Sequence, residues 1–173
     1  MDQTASGADI TAVFADPKFL AAVYAATGKA SPEPIYDVDA AKITELSLSG
    51  SGVTDLKGLE YFTRLKILHC ADAELKVLPA LPDALEELHC DNNQLTGLPV
   101  LPAGLRILDC GNNRLTELPA LPATLTRLSC KYNSLTELPA LPDVLAELSC
   151  GNNQLTELPA LSDAVIVLLC SHN

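Results

Sequence analysis

Leu125-Thr126-Arg127-Leu128-Ser129-Cys130-Lys131-Tyr132-Asn133-Ser134-Leu135-Thr136-Glu137-Leu138-Pro139-Ala140-Leu141-Pro142 is one turn of a pattern that runs through most of the chain. Its cysteine recurs at 70, 90, 110, 130, 150 and 170, every 20 residues without a slip, and these are all the cysteines present. A fixed period of this length specifies stacked repeats that bury a shared core. Within the turn, Leu125 to Cys130 alternates with period two, which predicts a strand with Leu128 and Cys130 facing inward. Pro139 and Pro142 exclude a helix on the return side and favour extended, polyproline-like backbone. The expected architecture is an α/β solenoid with one parallel strand per turn. Function in such an array lives in the residues that break the pattern.

Working outward, equivalent turns begin at Leu65, Leu85, Leu105 and Leu145, with a partial turn from Val165 and a longer one from Ile43. About seven strands are therefore expected over residues 43–173. Residues 1–42 lie outside the period. Asp16-Pro17 reads as a helix start, with aspartate as cap and proline in the first turn. Phe19, Leu20, Val23 and Tyr24 form one apolar stripe, and Gly28 suits the stop. Ser31-Pro32-Glu33-Pro34 reads as a loop. Residues 1–42 are thus expected to be an N-terminal helical cap and loop over the open end of the leucine core. No C-terminal cap is seen. Ile166, Val167 and Leu169 occupy positions that earlier turns fill with polar or charged residues, so this end either continues into further chain or pairs with another copy.

The composition narrows the function classes. Net charge is −11, with 22 acidic against 11 basic residues. A surface for nucleic acid or anionic lipid needs a positive field, so neither is expected as a partner. No apolar run reaches the roughly 18 residues that would span a bilayer, so membrane insertion is not expected. The start, Met1 to Gly7, lacks the basic-then-apolar layout of a secretion signal.

Leu118-Pro119-Ala120-Leu121-Pro122 followed by Leu125-x-x-Leu128 is similar to the Leu-Pro-x repeats of bacterial leucine-rich-repeat (LRR) proteins, the type seen in secreted effectors of enteric pathogens. Ile43-Thr44-Glu45-Leu46 through Asp55-Leu56-Lys57-Gly58-Leu59-Glu60-Tyr61-Phe62-Thr63 resembles the first turns of internalin-like surface proteins. The resemblance covers about residues 43–173. It implies a curved solenoid, parallel strands on the concave face and an extended convex side, that binds another protein. It also favours a secreted or cell-surface setting. Some Leu-Pro-x effectors carry a C-terminal ubiquitin-ligase domain, for which this sequence has no counterpart. The family's ladder asparagine, whose side chain satisfies turn backbone groups, falls at Asn93, Asn113, Asn133 and Asn153. In the first two turns the position is Ser51 and Ala73, so backbone satisfaction there must come from elsewhere.

The six cysteines replace the family's leucine in one inward column. Parallel strands lie about 4.8 Å apart, whereas a disulfide needs β-carbons about 3.8 Å apart. A ladder of buried thiols acting as small hydrophobes is therefore expected. None has a private base, so none is expected to be a nucleophile.

The core columns are nearly constant, while the strand positions facing away from the core vary. One column reads Ser47, His69, His89, Asp109, Ser129, Ser149, Leu169, and another Ser49, Ala71, Asp91, Gly111, Lys131, Gly151, Ser171. His69, His89 and Asp109, with Asp91 close by, form the sharpest cluster. Two imidazoles and a carboxylate on neighbouring strands could converge on zinc, but solvated strand residues are the ordinary reading, and no metal or cofactor is expected. A second cluster is Arg106, Arg127, Lys131 and Tyr132, an exposed aromatic among cations, which is the composition of an interface anchor. Glu117, Glu137 and Glu157 read as a solvated face.

The expectation is a protein-binding module that uses the concave face, centred on strands from His69 to Tyr132, with no reaction of its own. Two alternatives stay open. The chain is the recognition half of a larger effector enzyme, or a self-associating module, a homodimer through the Val165–Leu169 edge.

Overall fold

Two local devices bend each 20-residue turn. A proline carbonyl closes the bend into four of the strands: Pro82, Pro102, Pro122 and Pro142 accept from the N–H groups of Leu85, Leu105, Leu125 and Leu145 at 3.0 Å, and the carbonyls of Phe62 and Ser162 do the same for Leu65 and Val165. After the strand comes a residue in the left-handed region, at Gly50, Asp72, Asn92, Asn112, Tyr132, Asn152 and His172, with φ between 50° and 69°. Glycine, asparagine and aspartate tolerate that conformation best.

The computed structural model describes residues 7–173. Six residues of the Met1–Gly7 start, whose sequence lacks a signal-like layout, lie outside the described residues. The turns stack into a seven-stranded parallel sheet in chain order. Its strands are β1 (Glu45–Ser47), β2 (Ile67–His69), β3 (Glu87–His89), β4 (Ile107–Asp109), β5 (Arg127–Ser129), β6 (Glu147–Ser149) and β7 (Val167–Leu169). Each is three residues long, shorter than the six-residue alternation of the sequence, because the flanking leucine and cysteine already sit in the bends. The register from β2 onward follows the repeat, with Leu68, Leu88, Leu108, Leu128, Leu148 and Leu168 side by side. The convex side carries no helix between the repeats from β2 onward.

The core is a stack of aliphatic layers. In the turn from Leu125, the side chains of Leu125, Leu128, Cys130, Leu135 and Leu138 are buried, while Leu141 is only half-buried beside the convex prolines. Cys70, Cys90, Cys110, Cys130 and Cys150 are free, buried thiols, and Cys170 is partly exposed. Burial pushes the Cys70 thiol up to about 12, with the Asp91 charge adding to it. Burial, then the neighbouring cysteines, raises Cys90 further. A thiol held that far above neutrality is no nucleophile.

Before β1 lie α1 (Pro17–Thr27) and a one-turn α2 (Asp37–Ala40). Asp16 caps α1 and Gly28 ends it in the left-handed conformation. Phe19 and Val23 are buried, and Leu20 and Tyr24 pack against the core as partly buried neighbours. Phe14, Phe19 and Phe62 form an aromatic cluster, with ring centroids 5.4–6.3 Å apart. α2, the short 3-10 turns at Thr11–Val13 and Leu59–Tyr61, and the antiparallel bridge between Asp9 and Tyr36 have no strong sequence signature.

Candidate partner-binding face

The side chains at the first and third positions of each strand point away from the leucine core. Together they make a surface seven strands wide. His69 and His89, in register on β2 and β3, stack with ring centroids 4.8 Å apart and planes 18° apart. Each has a carboxylate beside it: His69 Nε2 lies 3.7 Å from Glu45 Oε1, and His89 Nε2 lies 3.6 Å from Glu87 Oε2. Stacked rings present their faces to one another rather than aiming nitrogens at a common point. Among the described residues, no group of three or more His, Cys, Asp or Glu side chains is arranged to hold a metal ion.

Asp109 follows His89 in register on β4. Its Oδ1 accepts from the Gly111 N–H at 3.1 Å. Asp91 is half-buried. Desolvation, and then the charges of Asp109 and Asp72, hold its carboxyl above the ordinary range, while His89 opposes them. Arg127 is already paired, its Nε donating to Glu147 Oε2 at 2.9 Å.

Two shallow hollows organise this face. The first runs along the sheet and is lined in part by His89, Asp109, Arg127 and Lys131, with Ser129 and Ser149 as its floor and Val167 and Leu169 at its far end. The second, about 310 Å³, lies where the strands end. Its lining includes Asp91, Asp109, Gly111, Lys131 and Tyr132. Six of the eight residues singled out from sequence therefore line one hollow or the other. Asp109 and Lys131 are shared between them. His69 joins only through its stack on His89. Arg106 stands apart: it precedes β4, next to Glu86, whose carboxyl Lys66 and, more weakly, Arg106 hold below the usual range.

Tyr132 carries a feature that composition did not show. It holds φ of +56° and is 54% exposed. The equivalent position elsewhere is Gly, Asp, Asn or His. A tyrosine bears the left-handed cost there. Asn112 Nδ2 donates to Asn92 Oδ1 at 2.6 Å, and Asn92 Nδ2 to Asp91 Oδ2 at 2.7 Å, so this amide chain stops at Tyr132. The signal was present in the column of turn-forming residues that Tyr132 interrupts. Tyr132→Asn is expected to raise stability by about 0.5–1 kcal/mol, measured as a higher urea midpoint with unchanged slope.

The fold defines a repeat solenoid with a nearly constant core and a variable outer strand face. The family pattern described as Leucine Rich repeats (2 copies) matches residues 83–123. The LRR domain of a Shigella effector is 32% identical over 82% of this chain and 68% of that one, with a TM-score of 0.67. YopM from Yersinia enterocolitica is 38% identical over 76% of this chain, with a TM-score of 0.73, and this chain spans only 30% of its length. The functional domain of InlJ from Listeria monocytogenes, described as including a cysteine ladder, is 26% identical over 97% of this chain and 48% of its own, with a TM-score of 0.60. No curated protein sequence matches the chain. The chain belongs to the leucine-rich-repeat family, as a bacterial LRR protein resembling secreted effectors. Domains of this family are typically protein-interaction modules rather than enzymes.

Proposed function

We propose that this chain recognises a protein partner on its concave face, across the strands from His69 to Tyr132, as the binding module of a secreted or surface protein. Tyr132 carries the reading: an exposed aromatic is kept in a strained backbone position where every other turn has a residue suited to it. Strain retained against an easy alternative marks a functional constraint. Its surroundings support the same role. Lys131 forms no ion pair among the described residues, and Asp91 and Asp109 line the same hollow. An aromatic flanked by charges of both signs offers an anchor and its polar rim. No catalytic role is assigned: the buried thiols are held protonated, and the hollows are open to water.

The test is affinity capture with the wild-type chain beside a variant carrying His69→Ala, His89→Ala, Arg127→Glu and Tyr132→Ala. A protein retained by wild type and lost by the variant, with the variant's circular dichroism and melting curve intact, is the expected result. Equal capture by both would move recognition off the concave face.

A further inference from the structure

Asp91, Asn92, Asp109, Asn112, Lys131 and Tyr132 line the hollow where the strands end. They come from three successive turns, so rows of polar groups about 4.8 Å apart lie beside one exposed aromatic ring. These groups are held in place before anything binds. Asn112 Nδ2 donates to Asn92 Oδ1, Asn92 Nδ2 donates to Asp91 Oδ2, and Asp109 Oδ1 accepts from the Gly111 amide. Among the described residues, Asp109 Oδ2 and Asn112 Oδ1 remain as acceptors, and the second N–H of each side-chain amide and the Lys131 ammonium remain as donors.

One wall of the hollow is glycine where the backbone does not call for it. Gly111 has Asp91 before it in its column and Lys131 after it, and its φ lies outside the left-handed region. Glycine in an ordinary conformation raises the entropy cost of folding, so its use here is for space. A β-carbon at 111 would lie 3.2 Å from Lys131 Cγ and 3.3 Å from both Asp109 Oδ1 and the Lys131 carbonyl. Glycine leaves the Lys131 stem and the Asp109 carboxylate where they line the hollow.

Charge decides what enters. A cationic group meets Lys131, and an anionic group meets Asp91 and Asp109, so a group of either sign is opposed by part of the lining. A neutral group that both donates and accepts satisfies all of it. A pyranose is such a group: each hydroxyl is a donor and an acceptor, and the C–H groups on one face of the ring make an apolar surface. Tyr132 supplies the matching surface, rigid and 54% exposed, with a polar tip. At about 310 Å³ the hollow has room for one sugar residue, and its open side leaves a path for the rest of a glycan.

We propose that this hollow binds a neutral pyranose, presented as part of a glycan on the partner. The C–H face of the sugar lies on the Tyr132 ring. Its hydroxyls donate to Asp109 and Asn112 and accept from Lys131. The proposal rests on the recognition reading for the role of Tyr132 and adds what seats on that ring: the partner is a glycoprotein, held in part by its sugar.

Nuclear magnetic resonance titration of the isotopically labelled intact chain tests this, with the methyl glycosides of glucose, galactose, mannose and N-acetylglucosamine as probes. Saturable shifts of the Asn92, Gly111, Asn112 and Tyr132 amides are expected with at least one of them. A dissociation constant of the order of millimolar suits a single residue in an open site. Tyr132→Asn, which should stabilise the fold, and Asp109→Ala should each weaken binding about tenfold or more. Glu137→Gln, at an exposed convex position, should bind as wild type does. The absence of a saturable shift with every sugar would overturn the proposal. So would binding unchanged by both hollow substitutions, or tighter binding of arginine amide or acetate at the same signals. A partner captured through Tyr132 while every sugar fails would keep protein recognition and remove the glycan.

Discussion

Asp16→Ala is expected to remove about 1.5–5 kcal/mol of stability, and the wild-type advantage over it should shrink in acid. The carboxylate is 8% exposed and has four donors. Oδ1 accepts from the N–H groups of Lys18 at 2.8 Å and Phe19 at 3.1 Å, capping α1. Oδ2 accepts from the N–H of Thr54 at 2.8 Å and its hydroxyl at 2.9 Å, 38 residues away in the first turn. Loss of an N-cap costs about 0.5–2 kcal/mol, and leaving the Thr54 donors without a partner adds about 1–3. One side chain thus starts the helix and fastens it to the solenoid it covers.

Burial pushes the Asp16 carboxyl up, but the hydrogen bonds from the Thr54 and Phe19 amides, the Thr54 hydroxyl and the Lys18 amide outweigh it and bring it down to about 2. The folded value lies below the unfolded value of about 3.9, so the contribution is fully present above pH 4. It is lost as pH falls through about 2. A depression of this size corresponds to roughly 2 kcal/mol. The gap between urea melts of wild type and Asp16→Ala should therefore narrow by about that amount from neutral pH down to pH 2. The difference between the two curves isolates Asp16 from other carboxylates. A gap that stays constant with pH would sink the electrostatic account and leave only packing.

That bond also marks where sequence alone stops informing. Asp16-Pro17 and Gly28 identify the helix because cap preferences are local, and the cysteine and leucine period identifies the turns because stacking imposes one register on all of them. The partner of Oδ2 is Thr54, a residue with no local sign of that role. The Phe14, Phe19 and Phe62 cluster is hidden in the same way, its members brought together only when the helix docks. On the concave face, the columns of residues are legible once the period is known. Side-chain pairing is not: Arg127 could meet either neighbouring strand and takes Glu147, and Arg106 falls outside both hollows. The strain at Tyr132 was recoverable, since a column of Gly, Asp and Asn already specifies a left-handed position. Reading Tyr132 by composition alone misses it.

Asn93→Ala is expected to have the larger effect, about 3–6 kcal/mol. Asn93 Oδ1 accepts from the Leu75 N–H at 3.0 Å, and Nδ2 donates to the carbonyls of Cys70 at 2.8 Å, Cys90 at 3.1 Å and Asp91 at 3.1 Å. Leu75, Cys70 and Cys90 are buried, so truncation strands backbone groups in two successive turns, at about 1–3 kcal/mol each. The same bonds recur at Asn113, which reaches Leu95, Cys90 and Cys110. Position 73, where the column has alanine, supplies the control. The groups an asparagine there would serve are the Leu48 carbonyl and the Val53 N–H, and Ser51 takes both: its hydroxyl donates to the first at 2.5 Å and accepts from the second at 3.3 Å. Ala73→Asn should accordingly change stability by less than about 1 kcal/mol, and should make Ser51→Ala nearly harmless where it otherwise costs about 1–2. Denaturant melts of the four chains decide it. If Asn93→Ala costs under about 1 kcal/mol, water is taking over the Cys70 and Leu75 groups and the ladder is not what joins the turns. If Ser51→Ala costs the same with either residue at 73, the serine is not standing in for the missing asparagine, and the first turn is held by its packing against the aromatic cluster instead.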